Sequence, residues 1–156
     1  MRYLIVMFFL LVATSCTRTK VVGETAHIKI EELGLSFLSR IDTGASNTSI
    51  HAVELKVIDG DDNPKKNKGK KISFTTETVK GEKKTITAVI DDVALVTNSQ
   101  GQEYRYEVKM TLNWKEVSKK VTVNLRDRSK MTYKLLIGRS WLADDILVDV
   151  SKKATE

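Results

Sequence analysis

Ile41-Asp42-Thr43-Gly44-Ala45-Ser46 decides the reading of this chain. An apolar strand ends on an aspartate, and a turn of small residues follows it. Gly44 lets the backbone approach the carboxylate closely and offer it an N–H, while Thr43 can add a hydroxyl to the network that stiffens the loop. Ala45 and Ser46 continue the close packing. Such a turn also arises by chance, since Asp and Gly are ordinary turn residues. A second segment downstream gives it weight. Leu135-Leu136-Ile137-Gly138-Arg139 is an apolar run ending in glycine, and Gly138 would let that strand run close beneath the Asp42 loop before a short helix begins.

An aspartate held in this way suits peptide hydrolysis without a metal or a covalent nucleophile. That chemistry needs one carboxylate as base and another as acid. Two carboxylates about 3 Å apart cannot both ionise, so they share a proton. The ionised member takes a proton from water and the protonated member donates to the carbonyl oxygen. This chain has a single Asp-Thr-Gly. The second carboxylate must then come from another copy related by a two-fold axis, so the mechanism predicts a homodimer with a peptide or protein as substrate.

Outward from this loop the sequence reads as β-structure. In Glu103 to Leu112, Tyr104, Tyr106, Val108, Met110 and Leu112 alternate with polar residues, as a half-buried strand requires. Val121, Val123 and Leu125 repeat the pattern. Further strands are predicted over residues 27–30, 35–41, 49–57, 71–79, 85–96, 131–137 and 146–150, and a single short helix over 139–144. Turn residues punctuate them at 59–64, 80–82, 98–101 and near Asn113. Many short strands so separated imply a barrel or a sandwich.

The first residues read as a processing signal. Met1-Arg2 is a positive start, Tyr3 to Ala13 is apolar but shorter than the ~20 residues a spanning helix needs, and Ala13-Thr14-Ser15 precede the only cysteine, Cys16. The pattern looks like a bacterial lipoprotein signal over residues 1–15, with Cys16 lipidated and residues 16–25 as a tether. The expected location is the cell envelope, facing the periplasm and held by the lipid, with Thr17 after the cysteine favouring the outer membrane. An acylated Cys16 leaves no cysteine for a disulfide, so the domain must rest on its core.

The net charge is +6, and five lysines fall between Pro64 and Lys71. That run reads as a solvated loop, or as a surface for anionic headgroups or an acidic substrate. No aromatic residue interleaves with it, so nucleic acid is not an expected partner.

Asp42-Thr43-Gly44-Ala45 and Leu136-Ile137-Gly138-Arg139 resemble the two signatures of retropepsin-like aspartic proteases. Together with Ile50-His51-Ala52, Val96 to Ser99, Arg126 to Met131 and Val148-Asp149, they look closer still to a bacterial family labelled putative ATP-dependent zinc protease. Its members are associated with ATP-grasp ligases that add glutamate. The resemblance implies an all-β, acid-protease closed barrel with one short C-terminal helix over residues 26–156, and an aspartic endopeptidase with Asp42 as catalytic residue. Thr43, Gly44, Ala45 and Gly138 would support the loop. No cofactor is called for. The zinc of the family label fits poorly, because catalytic zinc usually takes three protein ligands and the chain has only His27 and His51, without His-Glu-x-x-His.

Three residues keep two readings each. His51 is either a structural histidine in the sheet or a contact to substrate or dyad. Arg139 either ties the helix to the Asp42 loop, as the matching arginine does in retroviral enzymes, or faces a substrate carboxylate. Ser46 stands where those enzymes carry an acidic residue, so its contacts are structural or to substrate. A flap is expected in the Lys71 to Val96 hairpin around Lys80-Gly81. The alternative function is a noncatalytic module that keeps this fold and holds a peptide or wall component in its groove.

Overall fold

The computed structural model describes residues 19–98 and 101–154. In chain order the strands are β1 (Lys20–Val22), β2 (Thr25–Ile30), β3 (Leu35–Ile41), β4 (Thr48–His51), β5 (Val53–Val57), β6 (Lys71–Glu77), β7 (Lys83–Asn98), β8 (Gly101–Trp114), β9 (Val117–Arg126), β10 (Leu135–Ile137) and β11 (Ile146–Val148). A 3-10 turn over Pro64–Asn67 and the helix α1 (Arg139–Leu142) complete them. Residues 1–18, with Cys16 and the signal expected around it, lie outside the described residues.

Strands β2 to β10 form one sheet in the order β2-β3-β10-β4-β9-β8-β7-β6-β5. Strand β2 also pairs with β8, through Lys29 with Asn113 and Ile30 with Leu112. The pairings from β2 through β3, β10, β4, β9 and β8 therefore return to β2. The sheet carries an apolar core in which Ile28, Ile30, Phe37, Ile50, Val108, Leu112, Val123, Leu135 and Ile137 are almost wholly buried. Trp141 of α1 seals one side. Its indole N–H points at the Leu112 carbonyl, 3.4 Å away, and its ring meets Trp114 edge-on.

Four departures from the sequence-based elements have local causes. The segment expected as one strand over 49–57 divides at Ala52, whose N–H bonds the Arg126 carbonyl at 2.9 Å and ends the pairing with β9. The chain then leaves as β5 through a bulge in which Glu54 has a φ of 55°. Residues 131–134 are not strand, because the loop before β10 is closed by its own bonds, among them Met131 N to Arg128 O and Lys134 Nζ to Ser129 O. Lys20–Val22, expected in the tether, pairs with β11 in parallel, and Val22 is fully buried. Ordered structure thus begins ahead of residue 26. Finally, the lysine run is partly helical, capped by the Asn63 side chain on Lys65 N, with Asn67 buried inside it.

Strand β7 changes partner along its length. Residues 83–89 pair with β6, and beyond an irregularity between Ile90 and Asp92 the strand pairs with β8 as far as Asn98 with Gly101. Two hairpins result, in keeping with the turns expected at 80–82 and 98–101: β6–β7, turning at Lys80-Gly81, and β7–β8. In β8 the alternation holds from Val108 to Leu112, but Arg105 and Glu107 on the opposite face are buried as well.

Candidate active site

Strand β3 delivers Asp42 to its loop, and β10 lies parallel beside it with Ile137 opposite Ile41. The Asp42 N–H bonds the Ile137 carbonyl at 2.9 Å. One carboxylate oxygen, Oδ1, accepts the N–H groups of Gly44 at 2.9 Å and Ala45 at 3.2 Å. The loop therefore fixes one oxygen with backbone donors and leaves Oδ2 without a bond among the described residues. Asp42 is half-buried, while Thr43 and Gly44 are exposed.

The backbone at Gly44 runs close to the carboxylate: a Cβ there would stand 3.2 Å from Asp42 Oδ1. Gly138 is more tightly confined: a Cβ would meet the Asn47 carbonyl carbon and oxygen at 2.5 Å. The two segments singled out in the sequence are thus in backbone contact. Arg139 N bonds the Ala45 carbonyl at 2.9 Å, Ser140 N bonds the Ser46 carbonyl at 3.0 Å, and Gly138 N bonds Thr48 Oγ1 at 3.2 Å. The Arg139 guanidinium reaches the Thr43 carbonyl at 3.1 Å, the Gly44 carbonyl at 3.4 Å and Ser46 Oγ at 3.0 Å. It ties the helix start to the loop, and Ser46 is one of its acceptors. The Thr43 hydroxyl makes no bond among the described residues.

His51 lies at the far end of β4 and is buried. Its Nδ1 accepts the Arg128 N–H at 3.0 Å, which requires an unprotonated Nδ1. Burial and then Lys134 hold its pKa below the ordinary histidine value, against the opposing pull of Asp127 and Glu77. The imidazole thereby fastens the loop between β9 and β10.

Three arginines to which the sequence reading gave no role, Arg105, Arg126 and Arg128, lie close enough to act on one another electrostatically, with Asp42 acting on Arg128 as well. Arg128 is 7% exposed and Arg105 8% exposed. The Arg128 Nε–H bonds the Tyr133 carbonyl at 3.0 Å. Burial lowers its pKa, and the charges of Arg126 and Arg105 push it the same way, while Asp42 opposes them. Arg105 and Arg126 both face Glu103. A groove of about 410 Å³ runs along Ala52–Leu55, Glu103–Arg105 and Leu125–Asp127. In the sequence, Arg126 and Arg128 lie within the Arg126 to Met131 segment of the family resemblance with no role assigned, and Arg105 stands at a polar position of an alternating strand, which predicts exposure. Among the described residues, no three His, Cys, Asp or Glu side chains come together as a metal-binding group.

The family model described as retropepsin-like aspartic endopeptidase RimB matches residues 21–156. Proteins named probable alpha-L-glutamate ligase are similar as well. One from Desulfotalea psychrophila is 25% identical over 136 residues, 83% of this chain and 28% of that protein. One from Shewanella pealeana is 26% identical over 138 residues, 85% of this chain and 29% of that protein. The chain thus spans less than a third of the length of these curated relatives. A crystal structure of a Legionella pneumophila protein of unknown function shares the fold, with a TM-score of 0.71 at 22% identity over 87% of this chain and 97% of the other. The chain belongs to the RimB-like, retropepsin-like family.

Proposed function

We propose that this member of the retropepsin-like family is an aspartic endopeptidase that works as a homodimer. The observation that carries the reading is the Asp42 loop: one carboxylate oxygen held by the Gly44 and Ala45 N–H groups, the other without a bond among the described residues, on a loop clamped by Gly138 and Arg139. One such aspartate per chain leaves the site incomplete without a second copy. The exposure of Thr43 and Gly44 supports a two-fold meeting of loops there. In the dimer, Asp42 and the partner's Asp42 share a proton. The ionised carboxylate takes a proton from water as the oxygen attacks the peptide carbonyl, and the protonated one donates to the carbonyl oxygen. The proton then passes to the leaving nitrogen as the tetrahedral intermediate collapses. No cofactor has a part in this scheme.

The ring of pairings from β2 back to β2 is read as the closed barrel of an acid protease, with the paired hairpins beside it as flap candidates. The crowded guanidinium groups of Arg105, Arg126 and Arg128 favour an acidic peptide, and the names of the relatives suggest glutamate as its source of charge. Cys16 is proposed as a lipid anchor holding the domain to the envelope on its periplasmic side. Confinement to a membrane surface would raise the effective concentration of chains for pairing.

A second reading has its own support. This domain makes up less than a third of relatives named as ligases, which suits a noncatalytic module that holds a peptide in the groove. One experiment separates the two. The chain and its Asp42→Asn form are incubated with a diverse unstructured peptide mixture at pH values between roughly 4 and 7, and cleavage is followed by mass spectrometry. The expected result is cleavage that the substitution abolishes. Cleavage that persists in Asp42→Asn would overturn the assignment of Asp42. No cleavage by either form, with a dimer present, would favour the binding module.

A further inference from the structure

Glu107 is a buried acid that the scheme above does not use. It is 6% exposed, near the base of the β7–β8 hairpin, and its Oε1 accepts the Asn47 side-chain N–H at 3.1 Å. Asn47 is the residue whose backbone packs against Gly138, directly after the clamped Asp42 loop. The bond therefore joins the loop to the hairpin across 60 residues of sequence.

The neighbour of Glu107 on the next strand is Asn124 of β9, in direct register, and the neighbour of Asn124 on the other side is Ser49 of β4. Side chains paired in this way share a face of the sheet, with Cβ atoms roughly 5 Å apart. Asn124 Oδ1 and Ser49 Oγ are both buried and both lack a hydrogen-bond partner. In the row Ser49, Asn124, Glu107, the Asn124 Oδ1 acceptor beside Glu107 therefore lacks a donor among the described residues. An ionised Glu107 can only accept, and so offers no proton to the orphan amide oxygen of its register partner. A neutral Glu107 has one oxygen to accept from Asn47 and one O–H to give to Asn124, which resolves both demands.

We propose that Glu107 is a positioning residue that, as a neutral carboxylic acid, accepts from Asn47 and donates to Asn124, fastening the Asp42 loop to the β7–β8 hairpin.

The electrostatics run the same way. Burial raises the Glu107 pKa above the usual carboxylate range. The Asn47 bond opposes that, Asp92 and Asp91 of β7 add to it, and Lys109 of β8 opposes it. On the other strands packed beside it, Asn124 and Ser49 carry no charge. The latch holds on the acid side of the Glu107 pKa and loosens above it. Its effect on cleavage rests on the peptidase reading; its effect on the hairpin does not.

The test is run on the full chain in mild detergent, for the unaltered protein and for Glu107→Gln and Glu107→Leu. Hydrogen exchange is measured at pH 5 and pH 8 and expressed as protection relative to intrinsic rates. Gln reproduces the neutral acid, with an oxygen for Asn47 and an N–H for Asn124. The expected result is that protection of residues 101–107 falls roughly fivefold or more between the two pH values in the unaltered protein, stays at the higher level in Glu107→Gln, and is low at both in Glu107→Leu. Carboxyl NMR should show Glu107 protonated at a pH where exposed glutamates are ionised. Protection independent of pH, or the same response with Gln as with Glu, would overturn the latch. Should Glu107→Leu not fold, Asn124→Leu takes its place: it removes the acceptor and should abolish the acid-side gain, and an unchanged gain would overturn the proposal. Loss of cleavage with the latch intact would count against the peptidase reading alone.

Discussion

A β-carbon on Gly138 would stand 2.5 Å from the carbonyl of Asn47. The strand that ends at Gly138 and the chain leaving the Asp42 loop are therefore in contact through backbone atoms, which cannot swing aside as a flexible side chain would. The loop has its position because a glycine gives it room.

Gly138→Ala should therefore destabilise the fold by about 1–3 kcal/mol, the usual range for overpacking against a rigid neighbour. A melting temperature lowered by several degrees would bear this out. A variant as stable as the parent would mean that Asn47 yields easily, and that the clamp is looser than the contact distance implies.

Arg139→Lys should act differently. Arg139 is exposed, so its bonds contribute little to stability, under about 1 kcal/mol. Its guanidinium nonetheless serves Thr43 and Gly44 carbonyls and Ser46 Oγ together, a fork that one ammonium cannot copy. On the peptidase reading, kcat should fall at least about tenfold with the melting temperature nearly unchanged, as misplacement of a catalytic group by a fraction of an ångström has such effects. Equal losses in both measurements would give Arg139 a broader structural role.

The buried acceptor on His51 makes stability depend on pH. Its folded pKa is lowered, chiefly by burial, so between that value and about 6.5 the unfolded chain holds a proton that the folded chain does not. This contribution is complete above about pH 6.5 and declines as the pH falls below it. Melting curves from pH 8 to 5 should show the decline, and His51→Leu should lack that component while costing roughly 1–3 kcal/mol at pH 8 through the orphaned Arg128 N–H.

Trp141 of α1 is fully buried against the sheet and meets Trp114 edge-on. Trp141→Ala should cost about 3–5 kcal/mol, measured by chemical denaturation. A loss under about 1 kcal/mol would mean that α1 can collapse into the space.

Much of the frame was legible because glycine and small residues declare close approach. The Asp42 loop and the strand ending at Gly138 follow from residue types whose small size has few other uses, whereas the tie through Arg139 was one of two readings and came from the family resemblance. The strands with clean alternation, such as Val108 to Leu112, were legible for the same reason: a two-residue period has one meaning. What escaped the sequence was burial of polar side chains. Arg105 and Glu107 sit at the polar positions of β8, where alternation predicts solvent, yet the sheet and neighbouring segments cover both faces there. The break at Ala52 escaped as well, since nothing in Ile50-His51-Ala52-Val53 marks a turn and the division comes from a partner strand ending at Arg126. The short β1 was hidden because three residues carry too little pattern without their partner β11.

Asn67 gives the lysine run a property that its composition conceals. Its side chain accepts from Asp61 N at 2.7 Å and Lys70 Nζ at 3.2 Å, and donates to the Asp61 carbonyl at 2.9 Å and the Tyr106 hydroxyl at 3.0 Å. A peptidase of the proposed kind needs its victim drawn out as an extended thread. On the peptidase reading, this surface excursion, folded on itself and pinned to β8 through Tyr106, should resist being drawn into a second copy's site.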